Sequence, residues 1–277
     1  RNGLINPKQY LKLLSTNLTR IRKGSGINKQ SLSESSFTTW TKFYRQDENA
    51  PNAIVSYYGK GAIAALALDL RLRIETQDSI TLDHVMAELW KRYGAQGIGV
   101  PEQGVETLVE ELSGLDLRDW FNRAIRGTGE IPIAESLAQF GILLHRRSAQ
   151  SSKDIVGTDD SKTSTPKVSL GVTYAASAEG AKIRQVLDHG PAQNSGIAAN
   201  DIIIAIDGLK TTTASIERML GQYEPGETVT IHGFRRDELF QRQVTLQSTS
   251  EYVHFLEWKE DVSEEIATRR KRWLGIQ

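Results

Sequence analysis

The chain has 277 residues, which is enough for two domains of ordinary size. Hydrophobic residues make up 39% and charged residues 25%, the balance expected of a soluble globular protein. Lys plus Arg and Asp plus Glu each total 34, so no net charge favours binding to nucleic acid or to an anionic membrane. No apolar run approaches the roughly 18 residues of a membrane span. The absence of cysteine excludes thiolate catalysis, cysteine-ligated zinc and disulfides.

Residues 1–147 have the spacing of amphipathic helices and lack the alternation typical of strands. Asn6-Pro7 predicts a capped helix start with proline at the first helical position. Apolar residues at helical spacing predict further helices over residues 57–75, 81–93, 105–112, 117–125 and 133–140. Half a dozen such helices with short loops predict an all-α unit.

The composition changes after this unit. Residues 148–165 are rich in Ser, Thr, Asp and Lys, which predicts a solvated linker. Residues 166–249 show short alternating strands that one helix interrupts, and residues 250–277 form a tail that ends in a further helix over 261–274. We therefore expect a multi-domain α + β fold, in which a helical domain precedes a small β-barrel or sandwich with one or two helices.

The segment from Gly190 to Gly208 carries a specific pattern. A Gly-Pro-Ala turn, a Gly after a short helix, an Asn-Asp turn and an Ile-rich strand ending in Asp-Gly follow one another. This pattern resembles the central signature of PDZ domains, and the resemblance extends from Pro166 to Gln247. Ser169-Leu170-Gly171-Val172 precedes the signature, as in bacterial PDZ domains with permuted strand order.

The PDZ resemblance implies a groove that binds a peptide ligand. In such a groove the loop at Leu170, Gly171 and Val172 would point backbone N–H groups at a peptide carboxylate, and the strand after it would offer an edge for strand addition. The apolar side of the groove would be lined by helix residues Ile216, Met219 and Leu220. Positions inside the domain core are the alternative for these helix residues.

A second resemblance rests on the string Ser56-Tyr57-Tyr58-Gly59-Lys60-Gly61 and the apolar residues that follow it. Ser35-Ser36-Phe37 with Trp40, Tyr44-Arg45 and the final Trp273-Leu274-Gly275 support it. Together these segments resemble the glycyl aminopeptidase family, which are gluzincin metallopeptidases with a thermolysin-like catalytic domain followed by a PDZ domain. The resemblance covers nearly the whole chain and implies that residues 1–147 are the helical part of the catalytic domain.

Gluzincins hold zinc through the two His of an H-E-x-x-H motif and a downstream Glu. None of the five histidines of this chain has another histidine four residues away. In the family, these ligands precede the segment that matches Arg1-Asn2-Gly3. We therefore expect zinc in the full-length protein with its ligands outside this chain, no metal ligand within the chain, and no activity of this C-terminal fragment alone.

The resemblance implies that Tyr58 is catalytic and donates a hydrogen bond to the tetrahedral oxyanion. A phenol has a pKa near 10 and is a neutral donor at pH 7. The alternative is an ordinary half-buried tyrosine at a helix start. Tyr57 is expected to line the substrate pocket or to belong to the core, and Asn52 to bind the backbone or amino terminus of a substrate. Lys60 is expected to be solvated or ion-paired.

The predicted function is that of the C-terminal part of a zinc-dependent aminopeptidase with a PDZ module, acting on a peptide or protein substrate with a small N-terminal residue. The alternative is a non-enzymatic PDZ adaptor or scaffold. A serine protease with a regulatory PDZ domain is disfavoured because the chain contains no Gly-x-Ser-x-Gly. The sequence predicts no nucleic-acid partner and no membrane span. It leaves the compartment open, with the cytoplasm favoured.

Overall fold

The computed structural model describes residues 4–151, 154–155, 168–175, 177–248 and 252–276. Most of the predicted linker therefore lies outside the described residues. Two separate hydrophobic clusters form the cores, one among the helices and one within the sheet-rich part. This arrangement confirms the predicted multi-domain α + β fold class.

In the described part of the chain, eight α-helices precede the first strand. They are α1 (Pro7–Ile21), α2 (Leu32–Phe37), α3 (Ala50–Ala53), α4 (Tyr57–Glu75), α5 (Leu82–Arg92), α6 (Gly104–Ser113), α7 (Arg118–Phe121) and α8 (Ile133–Ala138). Helix α1 starts as predicted, with a reciprocal capping box between Asn6 and Gln9 and with Pro7 in its first turn. A short 3₁₀ turn, Phe43–Arg45, and a π turn, Asn122–Arg126, lie between the α-helices.

The strands and the remaining helices follow. The described strands are β1 (Ile142–Ser148), β2 (Val168–Ser169), β3 (Val172–Ala175), β4 (Ala181–Val186), β5 (Ile202–Ile206), β6 (Leu209–Lys210), β7 (Thr228–Arg235), β8 (Glu238–Thr245), β9 (Gln247–Ser248) and β10 (Tyr252–Trp258). Among them lie α9 (Pro191–Asn194) and α10 (Ile216–Leu220), and α11 (Glu264–Leu274) comes last.

Helix α4 runs through the centre of the first core. Leu70 and Leu72 on this helix are fully buried. Asp69 accepts a hydrogen bond from Arg73 Nε at 3.1 Å and another from the Leu82 backbone N–H at 2.9 Å. Asp69 and Arg73 thus form an ion pair within the apolar helix, and Asp69 also ties α4 to the first residue of α5.

The segment Ala50–Glu75 is long and apolar enough to cross a membrane by length and composition alone. Half of the most apolar 18-residue stretch of this segment is buried inside the fold. The core helix of a soluble protein has the same properties, so this segment is weak evidence for a membrane span.

The helical unit contains a strand pair that the sequence pattern did not indicate. Strand β1 pairs antiparallel with β10, so that Ile142 lies opposite Trp258. Strand β10 lies along α1, where the hydroxyl groups of Ser15 and Thr19 accept hydrogen bonds from its backbone at 3.1 and 2.9 Å. Helix α11 then places Trp273 in the first core. The tail, residues 252–276, therefore packs against the helical unit and contributes to its core.

The second core belongs to the sheet-rich part. Its sheet has the strand order β3-β4-β5-β7-β8, with β6 paired to β5, while β2 pairs with β9 separately. The buried carboxylate of Asp201 accepts a hydrogen bond from the Ala198 backbone at 2.8 Å and forms an ion pair with Arg235 at 2.8 Å. These contacts hold the turn before β5 against β7.

The two units contact each other at Asp188, which follows β4. Its carboxylate accepts hydrogen bonds from Lys29 Nζ at 2.5 Å and from Gln193 Nε2 at 2.9 Å, and also from the Ser25 hydroxyl. These bonds, the one from Lys29 foremost, lower the pKa of Asp188 to about 2. A charge-assisted cluster therefore joins the sheet-rich part to the turn after α1.

Replacing this carboxylate by Asp188→Asn should destabilise the contact. An unfolded Asp has a pKa of about 3.9, so the lower folded value means that the carboxylate stabilises the fold above about pH 4 and loses that effect as the pH falls toward 2. We expect the free energy of unfolding to fall by about 1–2 kcal/mol at pH 7. The deficit should shrink as the pH falls through this window, measured by denaturant unfolding at several pH values.

The matched control is Glu179→Gln, which neutralises an exposed carboxylate of the same sheet-rich part. It should change the free energy of unfolding little at any of these pH values. A deficit of the Asp188→Asn variant that stays constant between pH 7 and pH 2 would contradict a role for the charge.

Candidate functional site

Helix α4 begins with the tyrosine pair that the sequence singled out. Its start is set by Ser56, whose side chain accepts a hydrogen bond from the Gly59 backbone at 3.1 Å. The first turn packs closely on α1, because a Cβ at Gly59 would lie 2.5 Å from Ile21 Cγ2. Only glycine fits at this contact without a shift. The cap and the close packing together fix the direction of Tyr57 and Tyr58.

A third tyrosine from another segment joins the pair. The hydroxyl oxygen of Tyr44 lies 3.1 Å from that of Tyr58 and 3.3 Å from that of Tyr57. The Phe43 ring packs edge-on against all three rings, at centroid distances of 5.2 to 6.2 Å. We call Tyr44, Tyr57 and Tyr58 the phenol cluster. In the sequence, Tyr44 only supports the family resemblance, because no local pattern predicts that it meets the start of α4.

The members of the phenol cluster differ in acidity. Hydrogen bonding with Tyr44 first, and with Tyr57 second, lowers the pKa of Tyr58. Burial, followed by the contacts with the other two phenols, raises the pKa of Tyr57. The side chain of Tyr58 is 61% exposed, whereas Tyr57 is half-buried. Tyr58 is therefore the more acidic hydrogen-bond donor of the pair and the one that faces out of the fold.

A cavity of about 420 Å³ lies beside Tyr58. Its size is within the range of small-molecule sites. Two cations, Arg20 and Lys23, line it together with polar and apolar groups. The other lining residues are Asn17, Ile21, Gly24, Phe43, Gln46, Ala50, Pro51, Ile54, Val55, Ser56 and Gly59. This lining can accept a polar ligand and favours negative charge.

Asn52 lies away from the phenol cluster, in the contact between the two units. Its side chain is 2% exposed and donates hydrogen bonds to Asn49 Oδ1 at 3.0 Å and to the Val186 carbonyl at 2.7 Å. Its side-chain oxygen accepts the Asp188 backbone N–H at 3.0 Å. Both amide hydrogens and one oxygen lone pair are thus used within the chain. The structure gives Asn52 a bridging position, while the predicted contact with substrate stays a prediction.

Lys60 differs from its expected solvated or ion-paired state. It is 1% exposed, and its Nζ donates a hydrogen bond to the Gln30 carbonyl at 3.3 Å. Burial lowers the pKa of Lys60. The Gln30 side chain in turn accepts the Val55 backbone N–H at 3.0 Å. Lys60 therefore stabilises the turn before α4. No pattern in the neighbouring sequence predicts that this lysine is buried.

The resemblance implies zinc ligands outside this chain, and that expectation stays a prediction. Within the described ranges, no three His, Asp or Glu side chains lie together in an arrangement that could hold a metal ion. The residues that line the cavity include neither a histidine nor a carboxylate.

The predicted peptide loop has the backbone conformation that its glycine suggests. Gly171 has a φ of 69°, in the left-handed region, and a Cβ there would lie 3.1 Å from Gly190 Cα. Its carbonyl accepts the Leu187 backbone N–H at 2.8 Å, and its own N–H donates to the Ser169 hydroxyl at 3.0 Å. The loop is therefore held against the end of β4.

The predicted groove residues lie in one cluster. Leu170, Val172, Ile216 and Leu220 are all buried in the second core, and Met219 is half-buried against it. Strand β3 ends the order of the described sheet, so one of its edges has no partner strand among the described residues. This edge can accept an extended peptide, which is the condition for strand addition.

Comparisons with known proteins agree with this division of the chain. Residues 1–64 match the sequence profile of the M61 glycyl aminopeptidases, and residues 168–246 match that of the PDZ domain. No curated protein sequence matches the chain.

Solved structures of other proteins are similar to this chain or to part of it. The aminopeptidase N family protein from Idiomarina loihiensis is 39% identical, with a TM-score of 0.89 over 98% of this chain and 45% of its own. The chain thus spans less than half of that relative. A serine endoprotease from Yersinia pestis matches 30% of each chain at 25% identity and a TM-score of 0.28. An HtrA-type protease with a decapeptide matches 31% of this chain and 30% of its own, at 20% identity and a TM-score of 0.28.

The M61 profile matches the segment that contains the start of α4, and the similarity to the Idiomarina protein continues through both cores and the final helix. Sequence and fold agree over almost the whole length. Residues 1–64 thus carry the sequence pattern of the M61 glycyl aminopeptidases, residues 168–246 carry that of a PDZ domain, and the chain as a whole is similar in sequence and fold to an aminopeptidase N family protein.

Proposed function

We propose that this chain is the C-terminal part of a zinc-dependent aminopeptidase and that Tyr58 stabilises the oxyanion formed during hydrolysis. The observation that supports the proposal is the position of Tyr58 at the start of α4, exposed beside a cavity and hydrogen-bonded by a second phenol. The zinc would be held by residues outside this chain, since the described residues offer no ligand group.

The contribution of this chain is electrostatic. Attack on a peptide carbonyl places negative charge on its oxygen, and a donor aimed at that charge stabilises the transition state more than the ground state. Tyr58 supplies a phenol hydroxyl, which has one hydrogen to donate in a hydrogen bond. Arg20 and Lys23 add positive charge to the same cavity. The small N-terminal residues that we propose for the substrate follow from the family.

The second proposed function is peptide binding by the PDZ domain. A ligand would add as a strand to the free edge of β3, with its carboxylate at the Gly171 loop. The left-handed glycine and the terminal place of β3 in the sheet support this proposal. We propose that the bound peptide belongs to a substrate or to an assembly partner.

Tyr58→Phe removes the proposed donor while keeping the ring. In the protein that includes the zinc-ligand segment, we expect kcat to fall about 10²–10³-fold with little change in KM, because the interaction forms in the transition state. Both constants are measured by steady-state kinetics on glycyl and alanyl substrates. Tyr93→Phe, which removes a phenol hydroxyl elsewhere in the helical unit, should retain wild-type kcat. Wild-type turnover of Tyr58→Phe would remove Tyr58 from the mechanism.

The 277-residue chain alone should hydrolyse no aminoacyl substrate, with or without added zinc, because its described residues contain no metal-ligand group. The assay compares this chain with the protein that includes the zinc-ligand segment. Zinc-dependent turnover by the chain alone would show that its own residues hold the metal. If the longer protein is also inactive, the non-enzymatic adaptor becomes the better assignment.

Gly171→Trp should abolish peptide binding, because the left-handed loop cannot accept a bulky side chain beside Gly190. A second variant, Met219→Lys, places a charge on the half-buried face of α10 and should weaken binding at least about tenfold, since burying an unpaired charge is costly. Leu239→Lys, an equal change at an exposed site on β8, is the control. Binding is measured by fluorescence anisotropy with peptides bearing free or amidated C-termini, after circular dichroism confirms folding. Unchanged binding in both variants would place the site elsewhere.

A further inference from the structure

Tyr44 and Tyr58 form a hydrogen-bonded pair across two segments that are not neighbours in sequence. Tyr44 lies on the 3₁₀ turn before α3, whereas Tyr58 lies in the first turn of α4, and their oxygens are 3.1 Å apart. The Trp40 ring, 5.2 Å from that of Tyr44 between centroids, and the Phe43 ring hold Tyr44 in place. The contact is therefore built by both segments and does not depend on one flexible side chain.

The arrangement of the protons decides what Tyr58 can do. Each phenol has one hydrogen to donate and can accept hydrogen bonds at its oxygen. If Tyr58 donated its hydrogen to Tyr44, it would have none left for a ligand. If Tyr44 donates to Tyr58, the hydrogen of Tyr58 stays free to point into the cavity. A hydrogen bond received at the oxygen also makes a phenol a stronger donor, because it stabilises the charge that develops there.

We infer that Tyr44 is a positioning residue, which donates its hydrogen to the Tyr58 oxygen and thereby leaves the Tyr58 hydrogen directed at the substrate oxyanion. This inference rests on the proposed function of Tyr58. Tyr44 itself does not line the cavity and is not expected to contact substrate. The lowered pKa of Tyr58, for which its bond with Tyr44 is the first cause, supports this direction of donation.

Other charged and titratable groups surround the pair. Arg20 and Lys23 line the cavity beside Tyr58, Arg45 follows Tyr44 in the 3₁₀ turn, and Tyr57 belongs to the same cluster. The three cations are present in wild type and in a Tyr44→Phe variant alike. A difference between these two proteins therefore reports the hydroxyl group and not the surrounding charge.

Tyr44→Phe keeps the ring and its packing on Trp40 and Phe43 but removes the hydroxyl. We expect the pKa of Tyr58 to rise in this variant. The measurement is a pH titration of the 277-residue chain labelled with carbon-13 at the tyrosine ring carbon that bears oxygen, with the Tyr58 signal assigned by its loss in Tyr58→Phe. Tyr93→Phe is the control and should leave the Tyr58 titration unchanged.

In the zinc-loaded protein, we expect Tyr44→Phe to lower kcat about tenfold, the lower end of the loss when an orienting hydrogen bond is removed, with KM within about twofold. The alkaline limb of the pH profile should move to higher pH, because Tyr58 keeps its proton longer. A role in packing alone predicts neither effect, since the phenylalanine ring fills the same space.

The outcomes separate this inference from the proposal on which it rests. If Tyr58→Phe loses activity while Tyr44→Phe changes neither the pKa of Tyr58 nor kcat, the inference is wrong and the function of Tyr58 stands. If Tyr58→Phe keeps wild-type kcat, the proposed function fails and the positioning role fails with it. A raised pKa together with a lowered kcat in Tyr44→Phe supports both.

Discussion

The first turn of α4 is the constraint on which the candidate site depends. Ser56 fixes where the helix begins, and Gly59 lets α1 approach closely enough to fix how it is oriented. Tyr57 and Tyr58 are consecutive residues of this turn, so the position of the turn determines where their side chains point. A helix interior would point consecutive side chains about 100° apart into fixed surroundings. The open N-terminal turn instead lets the two rings meet at a tilt of 32°, with their centroids 4.1 Å apart.

The segments around this turn are held by buried polar groups. The Lys60 ammonium and the Val55 N–H both reach Gln30, and the Ser35 hydroxyl donates to the Val55 carbonyl at 2.6 Å. A buried polar group without a partner would cost free energy, so these bonds oppose any movement of the chain before α4. These buried hydrogen bonds explain why the phenol cluster can form from two separate segments although most of its rings reach solvent.

The sequence predicted those features that local patterns determine. Helix α4 covers the predicted residues because its start is marked by a serine cap and its interior by apolar spacing. Strand β1 was not predicted, since Ile142, Leu143 and Leu144 are consecutive and charged residues follow them. Its pairing with β10 depends on a contact more than a hundred positions away in the chain, and no local pattern contains that information.

The same distinction applies to the site. Tyr58 was singled out through a family string, and Gly171 through a PDZ loop whose left-handed conformation only glycine adopts at low cost. Tyr44 and Lys60 gained their places from tertiary contacts, which the spacing of residues in the sequence does not encode. The fold turns the side chain of Asn52 toward the other unit, a contact that its place in the sequence does not indicate.

The contact between the helical unit and the PDZ domain is made by polar groups, and this determines how it holds the two together. The two hydrophobic cores are separate clusters, so the relative orientation rests on directional bonds at Asn52 and Asp188 and not on a shared apolar core. Leu187, beside Asp188, donates its N–H to the Gly171 carbonyl. The peptide loop and the segment before α4 are therefore joined through three consecutive residues, Val186 to Asp188. Charge-assisted bonds fix geometry strongly, and the Asp188 carboxylate loses its effect only as the pH falls below about 4, so this contact can hold the orientation of the PDZ domain at neutral pH.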